Sequence, residues 1–129
     1  MNQQATIILA EDDAALRAAL ARLLELSGYR VLEAENGHGV LLHLTRESAE
    51  LLITDMLMPE MEGAETIREV RRSYPAVKII AISGGGLNPP MGYLTLAQAL
   101  GADATLAKPV QGKELLAAIA TLTAKPVPG

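Results

Sequence analysis

The chain has 129 residues, a size at which one domain buries most of its apolar surface without disulfides or a structural metal. Half of its residues are hydrophobic, yet Phe and Trp are absent and only 3 Tyr occur, so Leu, Ile, Val, Ala and Met must build the core. With 15 acids against 11 bases the net charge is −4, which disfavours direct nucleic-acid binding, and the absence of Cys excludes disulfide and thiol chemistry.

The amino terminus, MNQQATIILAEDD, has no basic region and its apolar run is short. No targeting or membrane-crossing segment is therefore expected, and the reading is a soluble cytoplasmic protein without membrane association. ATIILA (5–10) reads as the first strand, followed by Glu11, Asp12 and Asp13 and then by a helix marked by Leu16, Leu20, Leu23 and Leu24 and ended by Gly28. YRVLEA (29–34) and LLITD (51–55) read as the second and third strands. Ile67, Val70 and Tyr74 mark a helix ending before Pro75, VKIIAIS (77–83) is the fourth strand and ATLAK (104–108) the fifth. Leu115, Leu116, Ile119 and Leu122 mark the last helix.

Three of the strands are continuously apolar, as strands are when both sheet faces are covered. The fivefold strand and helix alternation predicts an α/β fold with a doubly wound five-stranded parallel sheet and right-handed crossovers. One domain is expected over 1–129, with a core of about 5–123, and the tail AKPVPG (124–129) is expected to fray.

Ligands of such sheets bind beyond the carboxyl ends of the strands. Those ends carry Glu11, Asp12 and Asp13, then Asp55, then Ser83 with three glycines, then Lys108. Carboxylates gathered there repel one another, by about 4 kcal/mol for two unit charges roughly 4 Å apart at an effective dielectric near 20. A hard cation with oxygen ligands answers this, and Mg²⁺ suits a site of few carboxylates with a phosphate oxygen completing the octahedron. A carboxylate beside such a metal can attack a phosphoryl group to form an aspartyl phosphate, and Asp55 is the candidate. Lys108 would supply a cation for the phosphoryl oxygens and Ser83 a hydrogen-bond donor.

The segments ILAEDD, ITDMLMPEMEG, IIAISG and ADATLAKPV, in this order and across essentially the whole chain, together resemble the receiver domain of two-component response regulators. The resemblance implies a flavodoxin-like (βα)5 fold of strand order 2-1-3-4-5. It implies that Asp55 is the phosphoacceptor, that Asp12 and Asp55 bind Mg²⁺ directly, that Glu11 acts mainly through a water, and that the backbone carbonyl of Leu57 is a further ligand. Ser83 matches the hydroxyl that bonds the phosphoryl group and moves on activation. Lys108 matches its cation, and Pro109 follows it in what the family holds as a cis peptide. The implied function is that of a response regulator in a His-Asp phosphorelay. A sensor histidine kinase or histidine phosphotransfer protein is the donor, and the surface of the fourth helix, fifth strand and fifth helix is switched toward a protein target. Such a module is no enzyme beyond catalysing its own phosphorylation and dephosphorylation. Because the sequence ends soon after the fifth helix, a stand-alone receiver is expected.

Three positions depart from the family pattern. Thr105 stands where the family often has an aromatic that couples to the hydroxyl switch, Val110 replaces a common Phe, and GGGLNPPMGYL after Ser83 is long and rich in Gly and Pro.

Simpler roles compete at each position. Asp12 or Asp13 can cap the first helix, and Asp13 is the better candidate. SGGG fails as a dinucleotide loop because residue 89 is Pro. His38 and His43 receive no role, and Met56, Met58 and Met61 are read as gap fillers. Lys108 can pair with Asp55 before phosphorylation. The competing functional reading is a degenerate receiver that binds partners without phosphorylation; the intact set Glu11, Asp12, Asp55, Ser83 and Lys108 argues against it.

Overall fold

The computed structural model describes residues 4–56, 63–83 and 97–123. Five strands, β1 (Thr6–Ala10), β2 (Arg30–Ala34), β3 (Leu51–Asp55), β4 (Lys78–Ser83) and β5 (Ala104–Ala107), form one sheet of order β2-β1-β3-β4-β5. Every neighbouring pair is parallel. The helices are α1 (Ala14–Leu26), α2 (Gly37–Arg46), α3 (Gly63–Ser73), α4, described over residues 97–100, and α5 (Gly112–Thr123). The expected α/β architecture and strand order are both observed, with strand boundaries within one residue of those read from the sequence. The tail 124–129 and the Gly/Pro-rich segment 84–92 lie outside the described residues.

Side chains alternate along the strands and build two aliphatic cores. Ile8, Leu52, Ile79 and Ala81 pack on one face with Val40 of α2 and Ile67 and Val70 of α3. Ile7, Leu9, Ile53 and Ile80 pack on the other with Leu20 and Leu24 of α1 and Leu115 and Ile119 of α5. Each fully buried Ile or Leu contributes roughly 1.5–3 kcal/mol of transfer free energy. Met56 joins the first core as the filler its thioether suggested.

Local chemistry fixes the ends of α1. Asp13 is its N-cap, accepting from the backbone N–H groups of Ala15 and Leu16 at 3.0 and 3.1 Å. Its C-terminus closes in a Schellman motif: Gly28, at φ +98°, donates to Glu25 and Tyr29 donates to Leu24. Leu24 and Tyr29 meet in the same core cluster, the hydrophobic contact that accompanies this cap. α2 is capped by Asn36, which accepts from Gly39 N at 3.1 Å.

Register determines what collects at the carboxyl rim. Ala10 pairs with Thr54, Asp55 with Ile82 and Ser83 with Ala107, so β1, β3, β4 and β5 end level. The residue after each strand, or its last residue, is thereby delivered to one edge. No helix among the described residues is long and apolar enough to cross a membrane.

Candidate functional site

The rim holds an acidic cluster closed by one lysine. Glu11, Asp12 and Asp55 each offer a carboxylate oxygen, and these lie within 4.8 Å of one another. Lys108 Nζ reaches Asp55 Oδ2 at 2.7 Å and Glu11 Oε1 at 3.0 Å. Glu11 and Asp55 are buried and Asp12 is exposed, so the cluster opens to solvent on the Asp12 side.

Backbone bonds hold each group in place. Glu11 N donates to Ala34 O at 3.0 Å, extending the β1–β2 ladder by one rung, and Asp13 N donates to Glu11 Oε2 at 3.1 Å. Met56 N donates to Ile82 O at 2.9 Å, which anchors the chain just past Asp55. Lys108 N donates to Ser83 O at 3.0 Å, and the Lys108–Pro109 peptide is cis. Gly63 opens α3 against this backbone: a Cβ there would stand 2.5 Å from Met56 Cα and nearer still to Asp55 O. Only glycine lets the helix start so close beneath the Asp55 peptide.

Burial raises the Glu11 carboxyl above its usual value and Asp55 adds to the rise, while the Asp13 N–H and the Lys108 ammonium pull against it. For Lys108, burial favours the neutral amine, but the Asp55 and Glu11 carboxylates outweigh it and hold the ammonium above its ordinary range. The lysine is therefore charged at neutral pH and stands where a second cation would also be attracted.

Three carboxylates spaced this closely match the donor set of a small hard cation, whose octahedron takes oxygens at about 2.0–2.1 Å and retains water on its open side. At the end of β4, the strand paired with β3, Ser83 Oγ is fully buried and has no hydrogen-bond partner among the described residues. An unpartnered buried hydroxyl costs roughly 1–3 kcal/mol. At the end of the strand beside Asp55, such a hydroxyl is suited to an incoming oxygen-rich group.

The family model for the response regulator receiver domain matches residues 7–120 of this chain. The chain belongs to that family. Receiver domains are the phosphoacceptor modules of two-component signalling. The transcriptional regulatory protein CpxR homolog of Haemophilus influenzae is 37% identical over 114 residues, covering 88% of this chain and 48% of that protein. The response regulator receiver protein CpdR of Brucella abortus is 42% identical over 78 residues, covering 60% of this chain and 65% of that protein. This receiver thus spans about half to two thirds of the length of these relatives. A CheY-like receiver domain from Methanospirillum hungatei superposes with a TM-score of 0.84 at 28% identity, over 92% of this chain and 93% of that one.

The structure brings Glu11, Asp12, Asp55 and Lys108 of the receiver together, with Ser83 ending the strand next to Asp55. Leu57, expected to contribute a backbone carbonyl, lies outside the described residues, as do Met58 and Met61. Thr105 lies half-buried on β5 opposite Ala81, two residues before the position that pairs with Ser83. Asp13 is a cap and not a member of the cluster. His43 bonds the Glu33 carbonyl through Nε2 at 2.8 Å, a packing role.

Two arginines carry connections that the sequence reading did not single out. Arg17 of α1 donates from Nη1 to Glu11 O at 2.7 Å and from Nε to Glu33 Oε1 at 3.1 Å. Arg71 of α3 donates to Gly101 O, Pro75 O, Val77 O and Asp103 Oδ2, and Asp103 Oδ2 also accepts from Ile79 N at 2.8 Å. An arginine on a helix face usually reads as solvated, so only their spacing from backbone carbonyls in the fold reveals them.

Proposed function

We propose that Asp55 is the phosphoacceptor of this receiver and that a sensor histidine kinase or a histidine phosphotransfer protein supplies the phosphoryl group from phosphohistidine. The observation that carries this reading is the Lys108 ammonium bridging Asp55 and Glu11 inside a three-carboxylate cluster at the sheet rim. In the transfer, an Asp55 carboxylate oxygen bonds to phosphorus as the phosphorus–nitrogen bond breaks. The electron pair returns to the imidazole nitrogen, which is then protonated.

Glu11, Asp12 and Asp55 are the side chains that would hold Mg²⁺, with the Leu57 carbonyl as the remaining protein ligand. When bound, Mg²⁺ neutralises charge on the phosphoryl oxygens and so lowers the cost of bringing an anion to a carboxylate. Lys108 shifts from pairing with two carboxylates to pairing with the phosphoryl group, and Ser83 Oγ gains a phosphoryl oxygen as acceptor. Drawing Ser83 inward biases a two-state equilibrium felt along β4 and β5, including Thr105 and Pro109, and at the surface of α4, β5 and α5. Moving such an equilibrium from mostly off to mostly on requires about 5.5 kcal/mol of differential stabilisation. The output is contact with a protein target, and the module is regulatory, with its own phosphorylation and dephosphorylation as its only catalysis.

The test is incubation of the whole chain with Mg²⁺ and acetyl phosphate, or with a beryllofluoride mimic, followed by mass spectrometry or NMR. The expected result is an adduct that disappears in Asp55→Ala and on chelation of Mg²⁺. Absence of any adduct in the native chain would refute the phosphoacceptor reading and favour a receiver that binds partners unmodified.

A further inference from the structure

Arg17 stands in the first turn of α1, where the helix dipole disfavours a cation. It is nevertheless drawn in against the protein, its side chain 14% exposed. Two acceptors explain the placement. Nη1 donates to the main-chain oxygen of Glu11, which is part of the peptide leading into Asp12, while Nε is held by Glu33 on the edge strand β2. The guanidinium is planar, so these two bonds together fix both the position and the orientation of its plane.

We infer that Arg17 is a positioning residue for the metal site, fixing the Glu11–Asp12 peptide so that the Asp12 carboxylate meets those of Glu11 and Asp55. The turn that carries these acids is held at three further points: Glu11 N on Ala34 O, Asp13 N on Glu11 Oε2, and the Asp13 carboxylate on the first N–H groups of α1. None of those bonds involves the Glu11 carbonyl. Arg17 supplies that missing restraint, and Glu33 in turn orients Arg17. Partners that orient metal ligands in this way typically alter metal affinity by about 10–100-fold when removed.

This inference rests on the reading that the cluster holds Mg²⁺, and charge alone makes the opposite prediction. Removing a nearby cation should strengthen Mg²⁺ binding if Arg17 acts only through its field, and replacing it by Lys should change nothing. If Arg17 positions the peptide, Arg17→Ala weakens binding, and Arg17→Lys, which keeps the charge but loses the fork, weakens it as well.

The experiment is calorimetric titration of the full chain with Mg²⁺ for the native protein, Arg17→Ala and Arg17→Lys, with far-UV circular dichroism and urea unfolding in the absence of metal as the record of folding. The expected result is a Kd raised about tenfold or more in Arg17→Ala and raised by a smaller factor in Arg17→Lys, with metal-free circular dichroism unchanged. A Kd equal to or below the native value in Arg17→Ala would overturn the inference. Should that variant not fold, an unchanged Kd in Arg17→Lys overturns it instead. Failure of the native chain to bind Mg²⁺ is a different outcome, which would remove the metal-site reading itself.

Discussion

Lys108 Nζ lies 2.7 Å from Asp55 Oδ2, so the cation proposed to face a phosphoryl group is already engaged with the proposed phosphoacceptor. The same nitrogen holds Glu11, so one side chain offsets the repulsion between two buried carboxylates. Replacing it should destabilise the metal-free fold. For Lys108→Ala we expect a loss of roughly 1–3 kcal/mol in urea unfolding without metal. Mg²⁺ should restore more stability to the variant than to the native chain, because it replaces the missing charge. Phosphoryl uptake should persist in this variant while binding to a downstream partner weakens. Normal partner binding by phosphorylated Lys108→Ala would count against the coupling role.

Asp12 and Asp13 are neighbours with separable tasks. Asp13→Ala should cost about 1 kcal/mol through loss of the α1 cap, with Mg²⁺ binding retained. Asp12→Ala should leave metal-free stability unchanged or slightly raised, since a repelling charge is gone, and should abolish Mg²⁺ binding measured by calorimetry. The reverse pattern would show the two roles to be exchanged.

Gly63 tests how tightly α3 is pressed beneath the site. A methyl group there collides with the backbone of Asp55 and Met56, atoms that cannot rotate away. Gly63→Ala should therefore cost at least about 1–3 kcal/mol and weaken Mg²⁺ binding as well, as the Asp55 peptide is displaced. Gly39→Ala is a useful comparison: its nearest neighbour is the Ala34 side chain at 3.1 Å and not the Asp55 backbone, so its loss should be smaller than that of Gly63→Ala.

The exposed pair Arg30–Glu47 sets a small pH dependence. The hydrogen bond from Arg30 lowers the Glu47 carboxyl below 4.5, so the folded chain releases that proton more readily than the unfolded one. Its contribution is present above 4.5 and is lost as pH falls through the lowered folded value. Urea midpoints of the native chain and Glu47→Gln should differ near neutral pH, converge well below 4.5, and draw together at high salt. A difference that persisted in acid would mean the pair acts by packing.

Where a strand is buried on both faces, its sequence announces it: TIILA, LLITD and KIIAIS are apolar almost throughout and become β1, β3 and β4. The candidate site was legible in part for the same reason, because Asp55 and Ser83 are polar residues that end such runs at one rim. α2 was harder to delimit, since GHGVLLHLTR opens with two glycines and carries two histidines, and its stability comes from the Asn36 cap and the burial of Val40 and Leu44. β5 is short and half-buried, leaving little pattern. Arg17 and Arg71 were not legible as connectors because their acceptors are mostly main-chain oxygens, which every residue carries and no sequence pattern marks.

The half-buried lysine also sets the charge that an ion must match. Three carboxylates against one ammonium leave a formal excess of two negative charges at the rim. A single divalent cation brings the pocket to electroneutrality, whereas a monovalent ion leaves it anionic. Before any chemistry begins, the rim therefore favours a divalent over a monovalent cation, and a dianionic phosphoryl donor would approach against less repulsion once that charge is cancelled.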